Sequence, residues 1–176
     1  PTLFDEIRIF SNYGNEPVNS PNIGRFNENN NVDKVLFMTQ PLLKNNRVTK
    51  QDLTLFFLKL NSLIKSKGLT LSLKLHPNDS YENYDNNQFD FYSEASVPAQ
   101  FLKFDSFKFV MTFSSSSVIG LKVPVVSCLN LINFVNEEDR IAITEDFLHT
   151  SRGQEGLELV ADWLCLEKHL AEIISN

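Results

Sequence analysis

Beyond residue 33 the apolar positions of this chain switch repeatedly between strand-like runs and helical spacing. Lys34-Val35-Leu36-Phe37-Met38-Thr39 is a compact apolar run closed by Gln40-Pro41, as expected of a buried parallel strand passing into a loop. Leu53, Phe56, Phe57, Leu60, Leu63 and Ile64 then recur at steps of three and four, one core-facing stripe of a helix. Thr49 is placed to cap that helix, Asp52 completes a weaker capping box, and Gly68 stops it after Lys67. Residues 69–75 are a second strand, 107–113 a third and 123–129 a fourth. The serines at 114–117 open a short helix through about Leu121.

Other segments read less sharply. Residues 78–88 are a polar surface loop, 97–104 a short helix, and 139–146 carry a strand around Ile141-Ala142-Ile143. Residues 153–174, with Leu157, Leu159, Val160, Trp163, Leu164 and Leu170, are one or two terminal helices. At the other end, 3–10 is a short amphipathic segment, and 11–33 is rich in Asn, Pro, Gly and Ser, as in a linker. The folded domain is therefore expected over 34–176. Strands alternating with helical crossovers specify an α/β fold, an open parallel sheet with helices on both faces. In such a sheet ligands bind beyond the carboxyl ends of the strands.

Composition narrows the class. With 176 residues, 42% of them hydrophobic and 15 of them Phe, the chain can bury a full core as one domain. Its two cysteines, Cys128 and Cys165, match no metal spacing and read as buried free thiols in a reducing compartment. A net charge of -6 and a pI of about 5.1 exclude a phosphate-neutralising nucleic-acid surface. No apolar run reaches the roughly 18 residues that span a bilayer, and the first residues lack the pattern of a signal peptide. The expectation is a soluble, cytoplasmic protein.

Two short motifs fall at predicted strand ends: Lys74-Leu75-His76-Pro77 after the second strand and Ser114-Ser115-Ser116-Ser117 after the third. A helix opening on serines offers backbone N–H groups, hydroxyl donors and the positive end of a dipole, all of which suit a phosphate. His76 adds a ring N–H, Pro77 fixes the chain direction, and Lys74 alternates with His76 on the strand. Alone, His-Pro is a common surface turn and a serine run a common helix cap. Placed together on strand ends, they predict a shared anion pocket. His149 and His169 read as surface or packing residues, Trp163 as core, and Glu137-Glu138-Asp139-Arg140 as a solvated charge cluster.

Thr39-Gln40-Pro41-Leu42, then Lys74-Leu75-His76-Pro77, the serine turn and Val123-Pro124-Val125-Val126 follow one another in an order that resembles a known family. It is similar to the nucleotide-binding half of bacterial sialyltransferases of GT-B fold, among them lipooligosaccharide sialyltransferases and capsule polysialyltransferases. The resemblance covers about residues 34–129 and implies a Rossmann-like domain, one half of a GT-B fold. It implies transfer of sialic acid from CMP-sialic acid to a glycan hydroxyl, with inversion and without a metal or other cofactor. His76 would contact the donor phosphate and help the nucleotide leave, and two of the four serines, Ser115 and Ser116 in the first instance, would bind that phosphate. The family's acidic base lies on an N-terminal domain, and neither Asp5 nor Glu6 is a good match for it. The expected partners are thus the donor, a glycan acceptor, and a partner domain or second copy, at the inner face of the cytoplasmic membrane. A Kdo or hexose transferase of GT-B fold and a non-enzymatic nucleotide-binding module remain the alternatives.

Overall fold

The computed structural model describes residues 33–85 and 88–175. The segment 3–10, with Asp5 and Glu6, and the linker as far as residue 32 lie outside the described residues. Six strands, β1 (Lys34–Met38), β2 (Thr70–Lys74), β3 (Asp90–Phe91), β4 (Phe109–Thr112), β5 (Val125–Ser127) and β6 (Leu157–Leu159), make one sheet in the order β3-β2-β1-β4-β5-β6. Every neighbouring pair is parallel. With helices α1 (Lys50–Ser66), α2 (Glu137–Thr150) and α3 (Trp163–Ser175), this is an open Rossmann-like α/β fold. β2 and β3 extend the sheet to one side of β1 and β4, β5 and β6 to the other, so the order reverses between β1 and β4. That reversal opens a crevice at the carboxyl edge.

Register decides which side chains share a face. Val35 pairs with Leu71 and Phe109, and Phe37 with Leu73 and Met111; these six join Phe56, Leu60 and Ile64 of α1 and Leu166 and Leu170 of α3 in one core. Full burial of each such side chain contributes roughly 1.5 to 3 kcal/mol. Leu36, Met38, Val110 and Val125 point the other way, where Phe104, Phe107, Val118 and Phe147 of α2 cover them. The two faces are therefore covered unequally. Helices α1 and α3 blanket one, while α2 delivers Phe147 to the other and packs Ile143 against the first.

Several elements follow the sequence pattern closely. Thr49 caps α1, its Oγ1 accepting from the Asp52 N–H at 3.0 Å, and Gly68 ends that helix with φ of 75°. Others differ. Ile141-Ala142-Ile143 is helical, because Asn136 caps Glu138 N–H at 2.9 Å and three acids fill the first turn of α2. The charge cluster at 137–140 is that turn, with Arg140 paired to Glu137 and reaching Asn130 at 2.8 Å. Leu157–Leu159 is strand rather than helix; it pairs with β5, and the helix starts only after Asp162 accepts from the Cys165 N–H at 2.7 Å. Residues 97–104 hold a single 3-10 turn, Ala99–Phe101, and Asp90–Phe91, just beyond the 78–88 segment, form a short edge strand. Cys128 is buried as expected, but Cys165 is exposed; both are free thiols. Among the described residues no helix is long and apolar enough to cross a membrane.

Candidate functional site

The last residues of β1, β2 and β4 build a polar edge from groups that would be costly inside the sheet. Lys74 closes β2 opposite Met38 of β1, and only 3% of it is exposed. Its ammonium donates to the carbonyls of Leu75 and Ala95, the latter at 3.2 Å. Two neutral acceptors leave one of its three donors for a further partner. Burial pulls its pKa down to about 8, so the group is still largely charged at pH 7.

His76 follows in a tightly held turn. Its own N–H donates to Thr39 Oγ1 at 3.1 Å, and its carbonyl accepts from the Asp79 N–H at 2.8 Å. Asp79 anchors the turn by accepting from Thr39 Oγ1 at 2.8 Å, Tyr84 OH at 2.6 Å, Asn83 Nδ2 at 2.9 Å and Ser80 N–H at 2.9 Å. The imidazole Nδ1 accepts from the Asn78 N–H at 3.0 Å, so in the neutral ring the proton sits on Nε2. Desolvation lowers the His76 pKa, with Lys74 pushing the same way and Asp79 opposing. At neutral pH the ring is an uncharged Nε2–H donor. Burial and the neighbouring Asp79 together drive the Tyr84 phenol up, which keeps it a donor.

The serine run takes a different form from that expected. It holds one 3-10 turn, Ser116–Val118, capped by Ser115, whose Oγ accepts from the Ser117 N–H at 3.3 Å. Gly120, with φ of 83°, turns the chain toward β5 before a helix can develop. There is accordingly no helix dipole here, and any anion must be held by hydroxyls and local N–H groups. The start of the turn is rigid. Phe113 packs its ring 4.9 Å from those of Phe37 and Phe56, and Thr112 Oγ1 accepts from the Ser115 N–H at 3.1 Å.

These pieces enclose an open cleft of about 180 Å³ at the β1/β4 crevice, lined by Met38, Thr39, Lys74, His76, Ser115 and Ser117. Leu75, Pro77, Pro98 and Ala99 complete its walls. Five residues singled out from the sequence, Lys74, His76, Pro77, Ser115 and Ser117, thus meet in one place. Ser116 is exposed and does not line the cleft. Ser114 turns away to Gln40, whose Oε1 accepts from the Ser114 N–H at 2.6 Å and from its hydroxyl at 3.2 Å. Among the described residues no three His, Cys, Asp or Glu side chains are grouped to hold a metal ion.

Protein-family models, curated proteins and solved structures contain no match to this chain. The chemistry of the cleft must be judged from its own groups. A buried ammonium with a spare donor, a neutral imidazole N–H and two serine hydroxyls all donate, which suits an anion. Thr39 stood out in the sequence only as part of Thr39-Gln40-Pro41-Leu42, and Thr112 and Asp79 did not stand out at all. A signal existed for the two threonines: each is a polar residue ending an otherwise apolar strand, next to a motif.

Proposed function

We propose that this domain binds the nucleotide of a nucleotide-sugar donor, as part of a sialyltransferase-type glycosyltransferase that moves sialic acid from CMP-sialic acid to a glycan hydroxyl. The observation that carries the reading is the convergence of Lys74, His76, Ser115 and Ser117 on one cleft at the point where the strand order reverses. The cytidine specificity rests on the order of motifs in the sequence. At about 180 Å³ the cleft is smaller than the roughly 300 Å³ of a typical small-molecule pocket. It suits a phosphate and the adjoining part of a nucleoside, with the rest of the ligand meeting other walls.

In the reaction the acceptor hydroxyl attacks the anomeric carbon from the face opposite the phosphate, and the bond from that carbon to the phosphate oxygen breaks with its electron pair leaving on CMP. The departing phosphate gains charge, and fixed donors stabilise it. His76 serves through its Nε2–H as a hydrogen-bond donor rather than as a charged acid, and Lys74 supplies the positive charge. The acceptor's proton goes to a base on a partner domain or second copy, at the inner face of the cytoplasmic membrane.

Titration calorimetry on variants tests the assignment. His76→Ala and the pair Ser115→Ala, Ser117→Ala should each weaken CMP binding about tenfold or more, whereas Ser116→Ala should leave it unchanged. Parent-like CMP binding by the first two variants would remove the cleft as the nucleotide site.

A further inference from the structure

Among the described residues Lys74 is the only buried lysine, and no carboxylate forms an ion pair with it. Both acceptors of its ammonium are neutral, the carbonyls of Leu75 and Ala95. A lysine that loses a proton keeps two N–H groups, one for each carbonyl, so deprotonation costs Lys74 no hydrogen bond and breaks no ion pair. A lone pair then stands in place of the third N–H, on a side chain that lines the cleft. Burial acts in the same direction: with the pKa at about 8, about a tenth of the amine is neutral at pH 7, far more than of a lysine at 10.5.

The same cleft presents the neutral imidazole N–H of His76 and the hydroxyls of Ser115 and Ser117. A nucleophile and a set of phosphate donors thus share about 180 Å³. Inorganic phosphate or a phosphomonoester uses only the donors, since it offers no acyl carbon for the amine to attack. A simple thioester offers the carbon but nothing for the donors. An acyl phosphate uses both, because its carbonyl carbon is joined directly to a phosphate oxygen and its phosphate leaves readily. Held by His76, Ser115 and Ser117, it presents that carbon beside Lys74.

We infer that Lys74 is an acylation site, modified by acyl phosphates that dock through the anion donors of the cleft. This rests on the anion-binding reading of that cleft. The Nζ lone pair bonds to the carbonyl carbon, the bond from that carbon to the phosphate oxygen breaks with its electron pair leaving on phosphate, and the nitrogen's surplus proton passes to the phosphate. The product amide is uncharged, so acylation removes the cation of the cleft and weakens its hold on anions. Incubation of the full chain with acetyl phosphate at pH 7, read by peptide mass spectrometry, tests this. Lys74 should be acetylated about tenfold faster than the exposed Lys44 and Lys65, and excess inorganic phosphate should slow Lys74 alone. The pair Ser115→Ala, Ser117→Ala should slow it as well, and the acetylated chain should bind CMP about tenfold more weakly in calorimetry. Labelling of Lys74 no faster than of Lys44 and Lys65, or at a rate unchanged by excess phosphate or by the serine variant, would overturn the inference; the phosphate arm needs no variant. CMP binding by the same chain would then leave the nucleotide reading standing. If Lys74 is labelled and phosphate protects it while CMP neither binds nor protects, the acylation site stands and the nucleotide reading falls.

Discussion

Gln40 ties the end of β1 to the serine turn after β4, its side-chain oxygen accepting both the N–H of Ser114 at 2.6 Å and the Ser114 hydroxyl at 3.2 Å. One acceptor thereby fixes the backbone from which Ser115 and Ser117 enter the cleft. Gln40→Ala should cost about 1 to 3 kcal/mol in urea unfolding, because it leaves a partly buried N–H unpaired. It should also weaken anion binding, although Gln40 does not line that cleft. Gln40→Glu keeps the acceptor and should retain most of the stability.

Asp79 acts on His76 in two ways, through Thr39 and through its charge. Its negative charge opposes the desolvation that lowers the imidazole pKa. Asp79→Asn should therefore move the His76 pKa further down, measured by NMR titration of the ring protons. A rise would contradict the assigned electrostatics. Thr39→Val removes the acceptor for the His76 N–H and should cost about 1 to 3 kcal/mol.

Lys74 carries the clearest pH signature. Its pKa falls from 10.5 to about 8 on folding, so between those values the unfolded chain binds more protons and stability rises with pH. The cost of burying the ammonium, on the order of 3 kcal/mol, is present in full below about pH 8 and is gone above about pH 10.5. Lys74→Met should be more stable than the parent at pH 7, and the difference should shrink by pH 10.5 in urea melts. Anion binding should run the opposite way, weakening in the parent as pH rises through 8 and remaining weak throughout in Lys74→Met.

The parts of the fold legible in the sequence were those whose periodicity was reinforced by a local signal. The stripe of α1 came with Thr49 before it and Gly68 after it, and β1 ended at Gln40-Pro41. Where apolar runs were short, period alone misled. Ile141-Ala142-Ile143 looks like a strand by composition, yet Asn136 and the acids behind it start a helix that carries the run along. Leu157-Glu158-Leu159 alternates as a strand should, but the Leu and Trp residues beyond it suggested a longer helix. In the candidate site, strand ends and motifs located Lys74, His76 and the serines. Which serines face the cleft depends on Gln40 drawing Ser114 aside and on a turn too short to be an α-helix. Asp79 was hidden because its four donors come from four different positions, Thr39, Ser80, Asn83 and Tyr84.

The most direct test of a cytidine-nucleotide cleft is calorimetric titration of the full chain with CMP, UDP and ADP at pH 7. The expected result is saturable binding of CMP, stronger than that of either UDP or ADP, and lost in His76→Ala. Preference for UDP or ADP would contradict the cytidine assignment and favour a hexose-type donor, and absence of binding by all three would contradict a nucleotide site at His76 and Ser115.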